Sequence, residues 1–289
     1  MKHLKHFACS FLNCVKNIFL AIRKHFKGIL SGIYIGLIGL FLYAPILVLI
    51  VLSFNKGRSR VKWEGFSFKW YEALFSNSQI GDALVTTIVL ALASAGIAVL
   101  IGVPGAIGMH ALGKKKFKVM MGLTNIPLLN ADIVTGIALM LWFVHFIPLG
   151  FGSVLIAHIT FNIPYVILSV MPRLQQMNVS VYEATRDLGA GPVYAFFKIV
   201  LPDLMPGIVS GFFMAFTMSM DDFVITFFTK GPGVNTLSTM IYGQLKKGIK
   251  PEMYALSTLI FLVVSAVLLV VNGISDRKKT PKAEQIERI

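Results

Sequence analysis

Charge is scarce in this chain. Only 14% of its 289 residues are charged and just 13 are acidic, while 56% are hydrophobic, too little charge to clothe a soluble globule of ordinary composition. Cysteine is scarcer still. Cys9 and Cys14 are its two cysteines; they read as free thiols on the reducing side of a membrane and imply neither a disulfide nor a metal site. Catalytic and metal-binding patterns are missing as well: there is no HExxH, GxSxG, CxxC or intramembrane HxxE. His110, His145 and His158 are scattered and read as packed or interfacial residues. Gly108 to Lys114 fits the start of a phosphate-binding loop, but Lys115 stands where Ser or Thr is needed, and an apolar span precedes it instead of a strand. An enzyme is disfavoured, no cofactor or metal is called for, and any ATP hydrolysis belongs to a partner.

What the chain has in quantity is long apolar runs. Six lie near 30–54, 82–110, 119–146, 151–171, 203–228 and 255–273, each about the 20 residues that cross ~30 Å of hydrocarbon at ~1.5 Å per residue. The expected fold is an all-α polytopic membrane protein with six transmembrane helices. With the N-terminus inside, 18 Lys and Arg fall on cytoplasmic segments and 9 outside, which makes both termini cytoplasmic. The net charge of +14 then reflects topology and anionic membrane lipid, with no need of nucleic acid.

Three regions follow. Residues 1–28 carry Leu4, Phe7, Phe11, Leu12, Val15, Ile18, Phe19, Ile22 and Phe26 at three- and four-residue spacing, with the basic residues mostly off that stripe. They read as an amphipathic helix on the inner membrane face, not as a cleavable signal. Residues 29–275 form the transmembrane domain, and 276–289 a cytoplasmic tail. Within the spans, the Gly32/Gly36 pair and the row Ala91, Ala95, Ala98, Gly102 and Gly105 read as surfaces of close helix approach. Pro104, Pro127, Pro164 and Pro206 each loosen a helix ladder, as suits bent helices around a cavity.

The segment from Tyr182 to Pro202, within a cytoplasmic loop over 172–202, stands apart from the spans. Val179 to Leu188 has helical composition, Gly189-Ala190-Gly191 interrupts it, and Pro192 suits the first turn of a second helix on which Val193, Phe196, Phe197 and Val200 share a face. That is a helix-turn-helix elbow, read as a partner-binding loop.

Glu183-Ala184-Thr185, then Gly189, then Ile199-Val200-Leu201-Pro202 match the EAA signature (EAA, three residues, G, nine residues, I, one residue, LP). On these residues the chain resembles the permease subunits of ABC importers that use a binding protein, with Thr185 where alanine is usual. The resemblance covers roughly residues 30 to 275. It implies a type I ABC importer permease fold with a cytoplasmic EAA coupling helix, in which Glu183, Ala184 and Gly189 contact the ATPase while Ile199, Leu201 and Pro202 pack the elbow against the membrane core. It also implies a second, similar permease, two cytoplasmic ATP-binding subunits, an extracytoplasmic substrate-binding protein and a bacterial inner membrane. Phe66 to Phe75 (FSFKWYEALF) and Ser219 to Phe228 (SMDDFVITFF) look more narrowly like the second permease of spermidine/putrescine importers. The N-terminal amphipathic helix is longer than that family leads one to expect.

Acidic residues within the spans are independent of that resemblance. A carboxylate at a helix centre costs about 2.5 to 3.5 kcal/mol on insertion scales, so Asp132, Asp221 and Asp222 are expected to face a cavity or a cationic partner. On straight helices, Asp221 and Asp222 lie about 27 to 29 Å along theirs and Asp132 about 20 Å along its own, all in the outer half of the membrane. A polyamine's ammonium groups suit such carboxylates, and the rings of Trp142 and Phe223 could add cation–π attraction of roughly 0.5 to 2 kcal/mol. The alternative for either of the adjacent pair is to cap a kink or to pair with a neighbouring subunit, and since neighbours on a helix point about 100° apart, at most one of them lines the path. The outer loops 55–81, with Trp63, Trp70 and Tyr71, and 229–254, with a short helix expected from Thr236 to Lys246, fit either docking of a binding protein or interfacial anchoring. Sulfate, ferric iron or an amino acid as cargo, and a channel or scaffold without an ATPase, stay open as alternatives.

Overall fold

The computed structural model describes residues 32–59, 62–248, 250–263 and 265–266. The expected amphipathic helix over 1–28, both cysteines, the far end of the sixth run and the tail at 276–289 lie outside the described residues. Those that are described form helices α1 (Gly32–Ser53), α2 (Lys69–Ser76), α3 (Ser78–His110), α4 (Lys114–Leu129), α5 (Asp132–Phe146), α6 (Phe151–Gln176), α7 (Val179–Asp187), α8 (Pro192–Asp221), α9 (Val224–Thr229), α10 (Leu237–Lys247) and α11 (Glu252–Val263). The one β feature among them is an isolated antiparallel bridge between Asn55 and Phe66.

The chain divides into two compact units, Met1–Leu74 with Lys250–Ile289, and Phe75–Ile249. In the first, α1 is apolar and turned outward along nearly its whole length, as a helix with internally satisfied backbone can be in hydrocarbon. A Cβ on Gly32 or Gly36 would meet nothing within 4 Å, so among the described residues the small-residue pair is unpacked. The loop after α1 is built on Asn55. Its amide donates to the carbonyls of Ser59 (3.1 Å) and Lys62 (2.8 Å), its side-chain oxygen accepts from Glu64 N–H (2.9 Å), and its own carbonyl accepts from Trp70 Nε1 at 2.6 Å. Trp70 is thereby buried inside the loop, which neither a docking nor an anchoring role describes.

In the second unit, α3, α6 and α8 form the core. Ala91, Ala95 and Ala98 are fully buried, and Gly102 lets α6 approach so closely that a Cβ there would sit 2.9 Å from Val166 Cγ1. Gly207 and Gly211 of α8 do the same against Ser169 and Val166 of α6. Without bulk at these positions the helices gain dispersion contact, which must replace the hydrophobic effect where the surroundings are lipid.

Two expected spans are broken. The run 119–146 is a pair of helices bent by 100° at Asn130–Ala131, where both residues are extended (ψ 149° and 132°) and α5 restarts on the Ala131 carbonyl. Pro127, having no N–H to give the carbonyl of Leu123, weakens α4's last turn just before the break. The depth worked for Asp132 on a straight helix therefore does not hold, because Asp132 opens the second limb. The run 203–228 likewise stops at Asp221, and α8 begins upstream at Pro192, continuous through Pro202 and Pro206. By length and composition four helices can cross a membrane, α1, α3, α6 and α8, with the bent α4–α5 pair a fifth; α11 is apolar but short over its described residues.

Candidate functional site

A buried polar cluster joins the three core helices. His158 of α6 is 1% exposed. Its Nδ1 lies 3.1 Å from Ser219 Oγ in the last turn of α8, and its Nε2 lies 2.9 Å from Thr226 Oγ1 on α9 and 3.3 Å from Asp222 Oδ2. Ser219 also meets Ser94 Oγ of α3 at 2.8 Å and accepts from Asn162 Nδ2 at 2.7 Å. The members largely satisfy one another, as an apolar bundle without water demands; among the described residues Asn162 Oδ1 is the one buried oxygen of the cluster that has no partner.

Asp222 stands at the break between α8 and α9, with extended backbone (ψ 124°). Its Oδ1 accepts from Ile225 N–H (3.2 Å), and its Oδ2 from Thr226 N–H (2.8 Å) and Thr226 Oγ1 (2.8 Å). The carboxylate thus satisfies the free donors of α9's first turn, the kink-capping alternative for this residue. Asp221, one residue earlier, is exposed. The pair splits, one carboxylate inward and one outward, because the helix ends at Asp221 and the backbone turns extended at Asp222. Phe223 is half-buried, with its ring 4.3 Å from that of Tyr242 on α10 and 5.3 Å from that of Phe227.

Asp132 is exposed in the first turn of α5. That helix runs against α9: Gly136, one turn on, would place a Cβ 3.5 Å from the Val224 carbonyl oxygen and Ile225 Cα. Phe143 and Ile225, both fully buried, share a core cluster with Ala157 and Phe161. The two broken segments, each opening beside an exposed aspartate, are therefore neighbours. Trp142 is 58% exposed and its ring contacts are with Phe143 and Phe146, on its own helix rather than with the acids.

At the other end of the core, Glu183 and Ala184 are exposed on α7, whose N-terminus Asn178 caps by accepting from Ser180 N–H at 3.1 Å. Gly189 has φ +90°, a conformation that glycine adopts without strain, and it turns the chain toward Pro192 at the start of α8. Leu188 is 89% exposed at the tip. The face expected of Val193, Phe196, Phe197 and Val200 forms only in part: Phe196 and Val200 pack on the core, while Val193 and Phe197 do not. A π turn over Phe196–Val200, where Leu201 N–H reaches the carbonyl of Phe196, adds a residue to the turn. Val193 and Phe197 end up exposed, and Ala195, Val200 and Leu204 go into the core. Ile199 and Leu201 are half-buried and Pro202 is exposed, so the packing expected of these three falls mainly on residues the signature does not include.

His158 is packed, as one of three scattered histidines reads, but nothing in the sequence names its partners. Its partners lie 61 to 68 residues away in sequence, where no local pattern points to them.

A bundle with outward apolar faces and broken helices suits a multi-pass membrane protein, and solved structures share its fold. The fold aligns with a chain of a bacterial ABC transporter involved in the import of the acidic polysaccharide alginate (TM-score 0.62, 15% identity, 87% of this chain and 96% of that one). It also aligns with a chain of the MetNI methionine ABC transporter (TM-score 0.53, 19% identity, 73% and 97%). This is the type I ABC importer permease fold. Residues 99–281 match the family described as binding-protein-dependent transport system inner membrane component, and the chain belongs to that family. It is 38% identical to the spermidine/putrescine transport system permease protein PotC of Escherichia coli (strain K12), over 87% of this chain and 96% of the relative. It is 35% identical to the putrescine transport system permease protein PotI of the same organism, over 86% and 91%.

Proposed function

We propose that the chain is a permease subunit of a polyamine importer, taking spermidine or putrescine across the bacterial inner membrane. The observation that carries this reading is the 38% identity to PotC sustained over 96% of that protein's length. The site supports it chemically. Asp132 and Asp221 offer exposed carboxylates beside two adjoining helix breaks, Phe223 offers a ring, and Asp222 holds the second break in shape. Cationic chains suit such a path, whereas an anion would be repelled by it.

The full subunit has six spans, α11 being the start of the sixth, with both termini cytoplasmic. It pairs with a second, homologous permease, and with two cytoplasmic ATP-binding subunits and an extracytoplasmic binding protein completes an alternating-access machine. Glu183, Ala184 and Gly189 lie on the elbow that meets an ATP-binding subunit, with Ile199, Leu201 and Pro202 at its return to the bundle. Exposure of Leu188, Val193, Tyr194 and Phe197 on that elbow supports the assignment, because such apolar surface calls for a partner. This subunit hydrolyses nothing itself.

The test of coupling is Gly189→Asp. The space around a Cβ is open, so the substitution acts through backbone strain at φ +90° and an added charge, not through a clash. Copurification of the ATP-binding subunit should fall while the permease stays folded; full retention of that subunit and of ATP-driven uptake would sink the coupling role.

A further inference from the structure

The polar cluster at the break has a use that filling space does not explain. Both nitrogens of His158 are engaged, and they reach opposite sides of the Asp222–Phe223 break: Ser219 closes α8, while Thr226 belongs to the first turn of α9. The ring is too buried to meet a solute itself. A ring with its proton on Nε2 satisfies the geometry, donating toward Asp222 Oδ2 while Nδ1 accepts from the Ser219 hydroxyl, which Asn162 Nδ2 in turn supports. The clasp extends to α10, because Ser238 Oγ donates to the Asp222 carbonyl at 2.7 Å, and α10 carries the Tyr242 ring on which Phe223 rests.

From this arrangement we propose that His158 is a positioning residue: by clasping both sides of the break it fixes the directions in which Asp221 and Phe223 present a carboxylate and a ring to an alkylammonium cargo. The inference rests on the polyamine reading above. Asp222 is turned inward and fully engaged, so its neighbours are turned elsewhere: Asp221 is exposed, and Phe223 lies half-buried with its ring on Tyr242.

The test compares His158→Leu, His158→Gln and Thr226→Val in the complete complex, reconstituted in proteoliposomes with labelled spermidine. Loss of a charge-assisted contact that orients the site should raise the KM for uptake about tenfold in His158→Leu, with Vmax per assembled complex changed less than about twofold. Gln places an amide near the Nε2 position and should recover part of the KM; Thr226→Val, which removes the hydroxyl shared by His158 and Asp222, should raise it too. Unchanged KM in all the variants that assemble, with only yield or Vmax reduced, would overturn the positioning role and leave His158 a packing residue. If His158→Leu does not assemble, the other two variants decide. Should the wild-type complex carry a different solute and no spermidine, the polyamine reading fails separately, and the same KM comparison with that solute still judges the clasp.

Discussion

Replacing Asp222 with Asn should damage the fold far more than the same change at Asp221, although the two carboxylates are adjacent. Asp222 accepts from two backbone N–H groups and a hydroxyl, and faces His158 Nε2 at 3.3 Å. An amide offers one acceptor where the carboxylate offers two. With its nitrogen in place of Oδ2 it turns a donor toward the Thr226 N–H; flipped, it turns a donor toward that of Ile225. Either way one buried N–H is orphaned, at about 1 to 3 kcal/mol, and breaking a buried pair costs 3 to 5 kcal/mol or so where the loss is complete. An overall cost of about 3 kcal/mol is the working figure, which for a chain of this size lowers the melting midpoint by about 6 to 12 °C. Asp221→Asn, at an exposed position, should stay within about 0.5 kcal/mol of the parent. The assay is thermal unfolding of the detergent-solubilised complex, followed by intrinsic fluorescence. Equal midpoints for the two variants, or a larger drop for Asp221→Asn, would refute the assignment of Asp222 as the residue that holds the break.

Gly102→Leu should destabilise the same complex by about 1 to 3 kcal/mol, since a Cβ alone would already lie 2.9 Å from Val166 Cγ1 on a helix with little room to move; a wild-type melting curve would contradict the close crossing of α3 and α6. Trp70→Phe keeps the ring but removes the 2.6 Å bond from Nε1 to the Asn55 carbonyl, worth about 1 kcal/mol. Limited proteolysis of the 54–68 loop should accelerate about fivefold, and an unchanged cleavage rate would show that the bond does not hold the loop.

Several features could be read in the sequence because they depend on local spacing. Alanines and glycines recurring along α3 mark the face that meets α6, since only small side chains at that period allow close approach. Gly189 and Pro192 mark the elbow, one supplying positive φ and the other a ready-made first turn. Thr236 marks the start of α10, where it forms a capping box with Thr239. What escaped was set by tertiary structure. Asn130, Asp132 and Pro127 interrupt the run 119–146 in sequence, but they fit a single span as well as two limbs, and nothing local sets the 100° angle at which the limbs meet. The π turn before Pro202 shifts the helix face by a residue, leaving Val193 and Phe197 exposed and bringing Ala195 into the core beside the expected Val200. The clasp around His158 joins residues from α6, α8 and α9 that no window of sequence contains. A carboxylate among apolar residues is conspicuous in sequence, but only the folded break shows that Asp222 turns in and Asp221 out.

The most direct test of the central claim is ATP-dependent uptake into proteoliposomes holding this chain with its copurified partners and binding protein. Labelled spermidine and putrescine would be offered alongside sulfate, ferric iron and amino acids. The account predicts uptake of a polyamine that requires ATP and is competed by unlabelled polyamine. Uptake of another solute, with no polyamine transported, would contradict the cargo assignment while leaving the chain a permease of its family.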